Sequence, residues 1–353
     1  MNYKEASRKT QSKKMGLVVI TILAFSILIL HKLITHFSVS SITYIRSPPP
    51  GKSRFMVNMV ITQSQASVPP LPIYSLDTEC KTDLNESTSQ IRRTQFDKIF
   101  DNRVWNHLGG SRSGPGSSLE GAFDWIAHLR TLMEHHSIQS IADIPCGDTY
   151  WQFGLREINT IEKLYFGGDI STRVIEQNQK LYGFKHNNKL FQYWDLVNCP
   201  IPTFTYRNST HEIKGNRFDL IIVRDALQHM HIKNGLKAVR NVIKSGAKYF
   251  ALSTYPPNGR PAGSVRRSIE KNSTLPLTLN ECINSTYCST GAITDGGFYP
   301  NNINCHPFNF PLSKAILVQP SHEKFPMEHD EMHIYKIDDE FKSIVEKYDK
   351  ACT

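Results

Sequence analysis

Seven short apolar runs, separated by turns and helix-length connections, are the feature of this chain that most restricts its fold. They lie between residues 137 and 337 and read SIQSIADI, KLYFGGDI, LFQYWDL, FDLIIVRDAL, KYFALSTY, SKAILVQP and MHIYKI. Runs of this length, rich in β-branched and aromatic residues, predict strands. The connecting segments 171–182 and 232–244 suit helices. This alternation predicts an α/β protein with a doubly wound, mainly parallel sheet of seven strands, covered on both faces.

A helix is predicted immediately before the first strand. The stretch GAFDWIAHLRTLMEHH places Phe123, Ile126, Leu129 and Leu132 at helical spacing. The apolar face of this helix is expected to pack on the sheet.

Carboxylates stand at or near the ends of the first four runs, at Asp143, Asp169, Asp195 and Asp225. In an open α/β sheet, ligands bind beyond the carboxyl ends of the strands, so these side chains are expected at a ligand site. An aspartate at such a position is also a common helix cap or turn residue. That structural role is the alternative for any one of them.

The turn after the first run, PCGDTYW, carries a single glycine, Gly147. A glycine lets the backbone approach a ligand closely, and Asp169, 26 residues after Asp143, is placed to accept hydrogen bonds from two ribose hydroxyls. A dinucleotide site would instead require G-x-G-x-x-G around a pyrophosphate. The pattern therefore predicts an adenosine-type cofactor that lacks a pyrophosphate.

Taken in order, SIADIPCGDTYW, FGGDIS, WDL and FDLIIVRDALQHM resemble motifs one to four of the class I S-adenosylmethionine-dependent methyltransferases. Within that superfamily the chain is similar to a group of methyltransferase-domain proteins with D-I-P-C-G-D at the first strand. The group also has S-x-S-G-P-G-S and a late P-F-N-F-P, present here as SRSGPGS at 111–117 and PFNFP at 307–311. The resemblance covers about residues 95–340. It implies the Rossmann-like fold of that superfamily, methyltransferase activity and S-adenosyl-L-methionine as cofactor.

The resemblance also implies roles for individual residues. The cofactor-binding residues that it indicates are Asp143, Cys146, Gly147, Asp148, Asp169, Asp195, Arg112, Ser113 and Gly114. Asp143, Cys146 and Gly147 would line the methionine end, Asp169 would bind the ribose, and Asp195 would receive the adenine amino group. Arg112, Ser113 and Gly114 would close over the cofactor. The chain departs from the superfamily in one respect, because the usual G-x-G is reduced here to Cys146-Gly147.

Methyl transfer to a hydroxyl requires in-line positioning and a base that removes the proton. His229, four residues past Asp225 and at the start of a predicted helix, is the first candidate, because imidazole titrates near neutral pH. Packing or capping at the helix start is the alternative role for this histidine. Asp225 could orient His229 or contact the acceptor, and His306, before PFNFP, is the remaining candidate.

The N-terminal part predicts a membrane anchor. Residues 1–15 contain five basic side chains, and residues 16–37, GLVVITILAFSILIL followed by HKLITHF, are almost free of charge. A cytoplasmic tail and a transmembrane signal-anchor are expected, with a cleaved signal peptide as the alternative. Residues 38–94, rich in Ser, Thr and Pro, predict a stem. Residues 95–350 then form the catalytic domain, with a functional insertion or lid at 256–302.

Sequons and cysteines agree with a lumenal domain. The chain has four N-x-S/T sequons, at Asn85, Asn208, Asn272 and Asn284. Of its seven cysteines at least one must stay unpaired in an oxidising lumen, and Cys282 and Cys288 are close enough to close a short loop. The alternative is that most are small buried residues. These features predict a single-pass type II glycoprotein of the Golgi or endoplasmic reticulum.

The predicted topology restricts the partners. The net charge of +9 is compatible with nucleic acid, but a lumenal domain would not meet it. The spacing of His322, His329 and His333 fits no zinc pattern, so no metal is predicted. Nothing in the sequence indicates an oligomeric state.

The predicted function is O-methylation of a sugar hydroxyl of a glycan. A lipid, protein or small secreted metabolite as acceptor is the first alternative. A lumenal binding or scaffold protein without turnover is the second.

Overall fold

The computed structural model describes residues 72–80, 87–106, 110–155, 158, 164–183, 187–255, 296–297, 301–304, 308–320 and 330–348. The predicted tail at 1–15, the signal-anchor at 16–37 and most of the insertion at 256–302 lie outside them. Also outside are His306, His322, His329, Asn85, Asn272, Asn284, Cys282 and Cys288. Among the helices of the described ranges, none has the length and apolarity needed to cross a membrane.

Strands and helices alternate along the described chain. The strands are β1 (Ile73–Leu76), β2 (Ile141–Asp143), β3 (Tyr165–Asp169), β4 (Lys189–Tyr193), β5 (Phe204–Arg207), β6 (Glu212–Asn216), β7 (Leu220–Val223), β8 (Tyr249–Thr254), β9 (Ala315–Pro320) and β10 (Glu331–Lys336). The helices are α1 (Ser87–Asp101), α2 (Phe123–His135), α3 (Thr172–Asn178), α4 (Ile232–Lys244) and α5 (Asp339–Tyr348). All seven predicted strands and the helices predicted at 171–182 and 232–244 are present.

Seven strands form one sheet in the order β4-β3-β2-β7-β8-β10-β9. Neighbours from β4 to β8 pair in parallel, whereas β10 pairs antiparallel with both β8 and β9. The predicted α/β architecture with a mainly parallel seven-stranded sheet is therefore confirmed. The chain moves outward from β2 to β3 and β4 and then returns to the other side of β2 at β7. Such a reversal of strand order opens a crevice at the carboxyl ends of the strands.

The central strands carry the predicted carboxylates to that crevice. β2, β3 and β7 are buried along their whole length, so a polar side chain can reach solvent only where the strands end. Asp143 and Asp169 are the last residues of β2 and β3. Asp195 and Asp225 follow the ends of β4 and β7 by two residues.

The folded domain starts before residue 95, because a second, three-stranded sheet includes residues N-terminal to it. In it β1 pairs antiparallel with β5, which pairs with β6. A disulfide joins Cys80 to Cys199, and α1 begins at Ser87. The predicted stem at 38–94 is thus too long, because residues 72–80 and 87–94 belong to the folded domain. The strand has only four residues and the helix has little apolar periodicity, so amino-acid composition does not distinguish them from a stem.

Helix α2 confirms the predicted helix but not its whole buried face. Leu129 and Leu132 are buried as expected. Phe123 is 59% exposed, and Trp125 is buried instead. Phe123 is the first residue of the helix, whereas the indole of Trp125 packs edge-on against Trp151 with 6.4 Å between ring centres.

Candidate functional site

A cleft lies over the ends of β2, β3, β4 and β7, and its volume is about 990 Å³ when the solvent-open space at its mouth is included. The predicted site residues in its wall are Arg112, Ser113, Asp143, Cys146, Gly147, Asp169, Asp195, Asp225 and His229. Gly114 and Asp148 are not part of the wall, and His306 is not among the described residues. Four strand ends and the segment at 111–117 therefore converge on one cavity.

Asp143 is buried at the base of the cleft. Its Oδ2 accepts hydrogen bonds from Gln152 Nε2 at 2.7 Å and from the Tyr165 hydroxyl at 2.8 Å. Its Oδ1 is buried and has no hydrogen-bond partner among the described residues. Burial raises the pKa of Asp143 to about 7, although the bonds from Gln152 and Tyr165 and the charge of Arg224 oppose the shift. An unmet acceptor at this depth marks a place for a donor on a ligand.

Gly147 lies in the turn after β2, at a position that favours glycine. Its φ is +56°, and a Cβ added there would lie 2.6 Å from Ser113 Oγ. The same Ser113 Oγ accepts the backbone N–H of Asp148 at 2.8 Å. Asp148 in turn accepts the Ser111 hydroxyl at 2.8 Å and the backbone N–H of Arg112 at 2.6 Å. Asp148 therefore ties the segment 111–117 to the turn from behind the cleft wall.

Asp169 is buried at the end of β3 and is anchored by backbone N–H groups. Gly147 donates to its Oδ2 at 3.1 Å, and Ser171 donates to its Oδ1 at 2.8 Å. Burial raises the pKa of Asp169 to about 6, against the effect of those two bonds. Each oxygen keeps acceptor capacity toward the cleft, because a carboxylate oxygen accepts more than one hydrogen bond.

Asp195 is engaged by the protein to a greater extent than the sequence suggests. Its Oδ2 accepts from Arg92 Nη2 at 2.6 Å, from Ser89 Oγ at 2.8 Å and from Asn198 Nδ2 at 3.0 Å. Its Oδ1 accepts the backbone N–H of Val197 at 3.0 Å. The predicted contact with an adenine amino group stays a prediction, and Oδ1 is the oxygen with room for it.

Helix α1 supplies a wall of the cleft that sequence reasoning missed. Its cleft-lining residues are Arg92, Phe96, Ile99 and Phe100. Asp97 on the same helix accepts the Ser171 hydroxyl at 2.7 Å and the Thr172 hydroxyl at 3.2 Å. It thereby fixes α1 to the start of α3. Polar contacts of Arg92 and Asp97 hold this helix together with the buried Ile99 and Phe100, but its sequence STSQIRRTQFDKIFD has little hydrophobic periodicity.

His229 lies at the cleft wall and stacks on Trp105, with 4.7 Å between ring centres and 29° between planes. Its Nδ1 is 2.6 Å from the carbonyl oxygen of Gly297. A carbonyl can only accept, so Nδ1 carries the proton and Nε2 carries the lone pair of the neutral ring. Burial lowers the pKa of His229, which keeps the imidazole neutral at pH 7.

Asp225 occupies a strained position beside His229. Its φ is +48°, a conformation that residues other than glycine rarely adopt. Its backbone N–H donates to Ser253 Oγ at 2.7 Å, and Gln228 Nε2 donates to its Oδ1 at 3.3 Å. Strain of this kind concentrates at functional sites, and here the loop after β7 holds it in the cleft wall.

Arg224 is a second residue that sequence reasoning missed. It is buried in the cleft wall between β7 and the two tryptophans Trp125 and Trp151. Its Nη1 lies 3.2 Å from Asp225 Oδ2. The sequence does indicate this residue, because an arginine at the end of a buried strand, directly before Asp225, is unusual.

Cys146 is buried beside Gly147 and is not paired in a disulfide. Burial and the nearby charges of Asp169 and Asp143 raise its pKa well above the ordinary value. The thiol is therefore uncharged at neutral pH and is a poor nucleophile. Its placement in the cleft wall agrees with a lining role at the predicted methionine end.

His333, the one described member of the three histidines considered for zinc, is buried in β10. Its Nδ1 lies 3.2 Å from the Tyr335 hydroxyl, and its Nε2 lies 3.1 Å from Glu331. Within the part of the chain that the structure describes, no three His, Cys, Asp or Glu side chains are grouped to hold a metal ion.

Two of the solved structures to which this chain is similar are methyltransferases, both of low sequence identity. Magnesium protoporphyrin IX methyltransferase from Synechocystis PCC 6803 with bound SAH is 11% identical, with a TM-score of 0.42, over 70% of this chain and 98% of that one. N-methyltransferase NodS from Bradyrhizobium japonicum WM9, also with SAH, is 12% identical, with a TM-score of 0.40, over 68% of this chain and 98% of that one. No protein-family model and no curated protein matches the sequence. The architecture therefore rests on the strand order of the sheet and not on these superpositions.

Proposed function

We propose that the protein is an S-adenosylmethionine-dependent methyltransferase that methylates a hydroxyl group. The observation that carries the proposal is the convergence of Asp143, Gly147 and Asp169 on one cleft at the point where the strand order reverses. Ligands of open α/β sheets bind at such a point. The superfamily that the four sequence motifs resemble uses it for this cofactor.

The residues in the cleft fit the chemistry of that cofactor. Gly147 keeps the turn open for a ligand, and Asp143 Oδ1 is a buried acceptor without a partner among the described residues. The backbone N–H groups of Gly147 and Ser171 hold the Asp169 carboxylate, and in this proposal its two oxygens receive the ribose hydroxyls.

In this proposal the bound cofactor supplies an electrophilic methyl group, and the protein supplies position and a base. His229 is neutral, and its Nε2 can accept the proton of an acceptor hydroxyl as the new carbon–oxygen bond forms. The carbonyl of Gly297 and the ring of Trp105 hold the imidazole in place. Asp225 lies in the same wall and can contact the acceptor.

A sugar hydroxyl of a glycan in the secretory pathway is the proposed acceptor. The disulfide between Cys80 and Cys199 supports an oxidising compartment. The sequon at Asn208 lies in the turn between β5 and β6, where Ser209 and Thr210 are exposed. These observations agree with the type II topology that the sequence predicts. A lumenal site also requires that the cofactor be transported across the membrane.

Two measurements test the proposal. Calorimetric titration of the full-length chain with S-adenosylhomocysteine is expected to give one site, and Asp169→Ala is expected to abolish it, whereas exposed Arg130→Gln leaves it unchanged. Transfer of labelled methyl to a glycan library, with mass spectrometry of the product, then identifies the acceptor. An absence of binding by the wild-type protein would refute the methyltransferase assignment. Binding without any methylated sugar would reject only the acceptor.

A further inference from the structure

Arg224 brings a cation to the end of the cleft where the strand order reverses. It follows β7 directly, and β7 pairs with β2 in the register Ile222 to Asp143. Neighbouring strands lie about 4.8 Å apart, so Asp143 and Arg224 leave adjacent strand ends. The side chain of Arg224 is 3% exposed and forms part of the cleft wall.

Aromatic rings and polar contacts fix the orientation of the Arg224 guanidinium. Its Cζ lies 5.2 Å from the centre of the Trp125 ring and 5.6 Å from that of Trp151. Its Nη1 lies 3.2 Å from Asp225 Oδ2, and its Nη2 donates to the carbonyl of Gly121 at 3.4 Å. A guanidinium has five N–H donors, so the contacts with Asp225 and Gly121 do not exhaust its capacity to donate to a carboxylate. Its planar, fixed geometry also distinguishes it from a lysine ammonium.

Asp143 supplies the complementary charge. Gln152 and Tyr165 occupy its Oδ2, whereas its buried Oδ1 has no partner among the described residues. A buried carboxylate oxygen without a donor costs stability, so its place in the cleft wall points to a donor on the ligand. An ammonium group would satisfy the oxygen and also offset its charge.

We propose that Arg224 binds the α-carboxylate of the cofactor's amino-acid end while Asp143 Oδ1 accepts from the α-ammonium of the same end. An α-amino acid carries the ammonium and the carboxylate on one carbon. Asp143 and Arg224, an anion and a planar cation at adjacent strand ends, are complementary to these two groups. Arg224 thus makes the cleft select S-adenosyl amino acids over adenosine thioethers that lack the carboxylate. This assignment rests on the proposed methyltransferase function and adds to it the residue that recognises the carboxylate.

The wall contains two further arginines, Arg92 and Arg112. Arg92 is held by Asp195, so Arg112 is the alternative residue for the carboxylate. Its side chain is half-buried, and its Cζ lies 5.3 Å from the centre of the Phe100 ring on α1. It therefore lies against the α1 side of the cleft. Arg224 is the arginine that shares the end of the cleft with Asp143, and the charge of Arg224 acts directly on that carboxyl.

The test compares two ligands that differ only in the carboxylate. Calorimetry on the full-length chain measures the affinity for S-adenosylhomocysteine and for S-adenosyl-3-thiopropylamine, which keeps the adenosine, the thioether and the amine. The variants are Arg224→Gln, Arg224→Lys and Arg112→Gln, with exposed Arg130→Gln on α2 as the matched control. Thermal unfolding of each variant reports whether it folds.

The wild-type protein and Arg130→Gln are expected to bind S-adenosylhomocysteine about 10- to 100-fold more tightly than the decarboxylated ligand. Arg224→Gln should bring that ratio close to one, because it removes a contact that only the carboxylate-bearing ligand makes. Arg224→Lys should give an intermediate ratio. If Arg224→Gln does not fold, Arg224→Lys decides. A wild-type ratio in the folded Arg224 variants, or loss of the ratio in Arg112→Gln alone, overturns the assignment. Equal affinity of the wild-type protein for the two ligands also overturns the role of Arg224, but leaves the proposed cofactor site in place. If the wild-type protein binds neither ligand, the proposed methyltransferase function itself is refuted.

Discussion

Arg92 and Asp195 form a buried ion pair, with 2.6 Å between Nη2 and Oδ2, although they are 103 positions apart in the sequence. The pair joins α1 to the segment after β4 and closes one side of the cleft. Removing one partner of a buried pair leaves the other charge unpaired, which costs more than the pair itself contributes.

Arg92→Met is therefore expected to lower the free energy of unfolding by about 3–5 kcal/mol in urea denaturation. The double variant Arg92→Met with Asp195→Asn should recover part of that loss, because no buried charge remains and the amide oxygen still accepts a hydrogen bond. A single variant within about 0.5 kcal/mol of wild type would contradict a buried, energetically coupled pair.

Gly147→Ala should destabilise the protein through backbone strain and through a steric clash. Gly215→Ala, which has only the backbone strain, separates the two effects. Both glycines have positive φ, +56° and +69°, which costs alanine about 1–2 kcal/mol. Only at position 147 does the added Cβ meet an atom, Ser113 Oγ at 2.6 Å, whereas nothing lies within 4 Å at position 215. Urea denaturation should show the larger loss for Gly147→Ala, and calorimetry should show weaker binding of S-adenosylhomocysteine only there. Equal losses for the two variants would argue against the contact with Ser113.

The affinity for S-adenosylhomocysteine should rise with pH as Asp143 ionises. Burial raises the pKa of Asp143 to about 7, so the carboxyl is protonated below that pH and becomes a weaker acceptor for the ligand ammonium. Affinity is expected to increase from about pH 5.5 and to level off above about pH 8, roughly one unit on the ionised side of that pKa. Calorimetry across this range provides the measurement. Asp143→Asn should remove this dependence and leave only the weaker contribution of Asp169, whose pKa is about 6. An unchanged pH profile in that variant would assign the dependence to another group.

Loss of the disulfide between Cys80 and Cys199 should destabilise the domain. The bond closes a segment of 119 residues, and a loop of that length corresponds to about 2–5 kcal/mol of unfolding free energy. The double variant Cys80→Ser with Cys199→Ser should lose that amount in urea denaturation, and added reductant should leave it unchanged while destabilising the wild-type protein. If reductant affects both proteins equally, its target is another bond.

His229→Gln should lower kcat by about 10²- to 10⁴-fold without changing the affinity for S-adenosylhomocysteine, since a general base acts on the acceptor. Because burial lowers the pKa of His229, the acid limb of the wild-type kcat profile should lie below pH 6.5, the ordinary value for histidine. Single-turnover rates with the identified acceptor provide the measurement. A kcat that falls by less than about threefold would reassign His229 to packing against Trp105, because a base contributes far more.

The main sheet could be predicted from the sequence because its strands are buried on both faces. That burial requires continuous apolar runs, and each run ends where a carboxylate such as Asp143 or Asp169 becomes tolerable. Strand ends in a parallel sheet meet at one edge, so the order of the motifs was enough to place these side chains together.

The parts that sequence reasoning missed are held by polar or long-range contacts. Arg92 is buried by its pairing with Asp195 and not by an apolar face of α1. The positions of Arg224 between two tryptophans and of Gly147 against Ser113 depend on residues far apart in the chain. No local periodicity records contacts of this kind.

Helix α1 is needed to complete the cleft, so the smallest part of this chain that can fold independently must contain it. A truncated protein beginning at residue 95, where composition changes, would lack Arg92 and one cysteine of the Cys80–Cys199 bond. Asp195 would then be left charged in the interior, and β5 would become an edge without its partner β1. The independent folding unit therefore includes both β1 and α1.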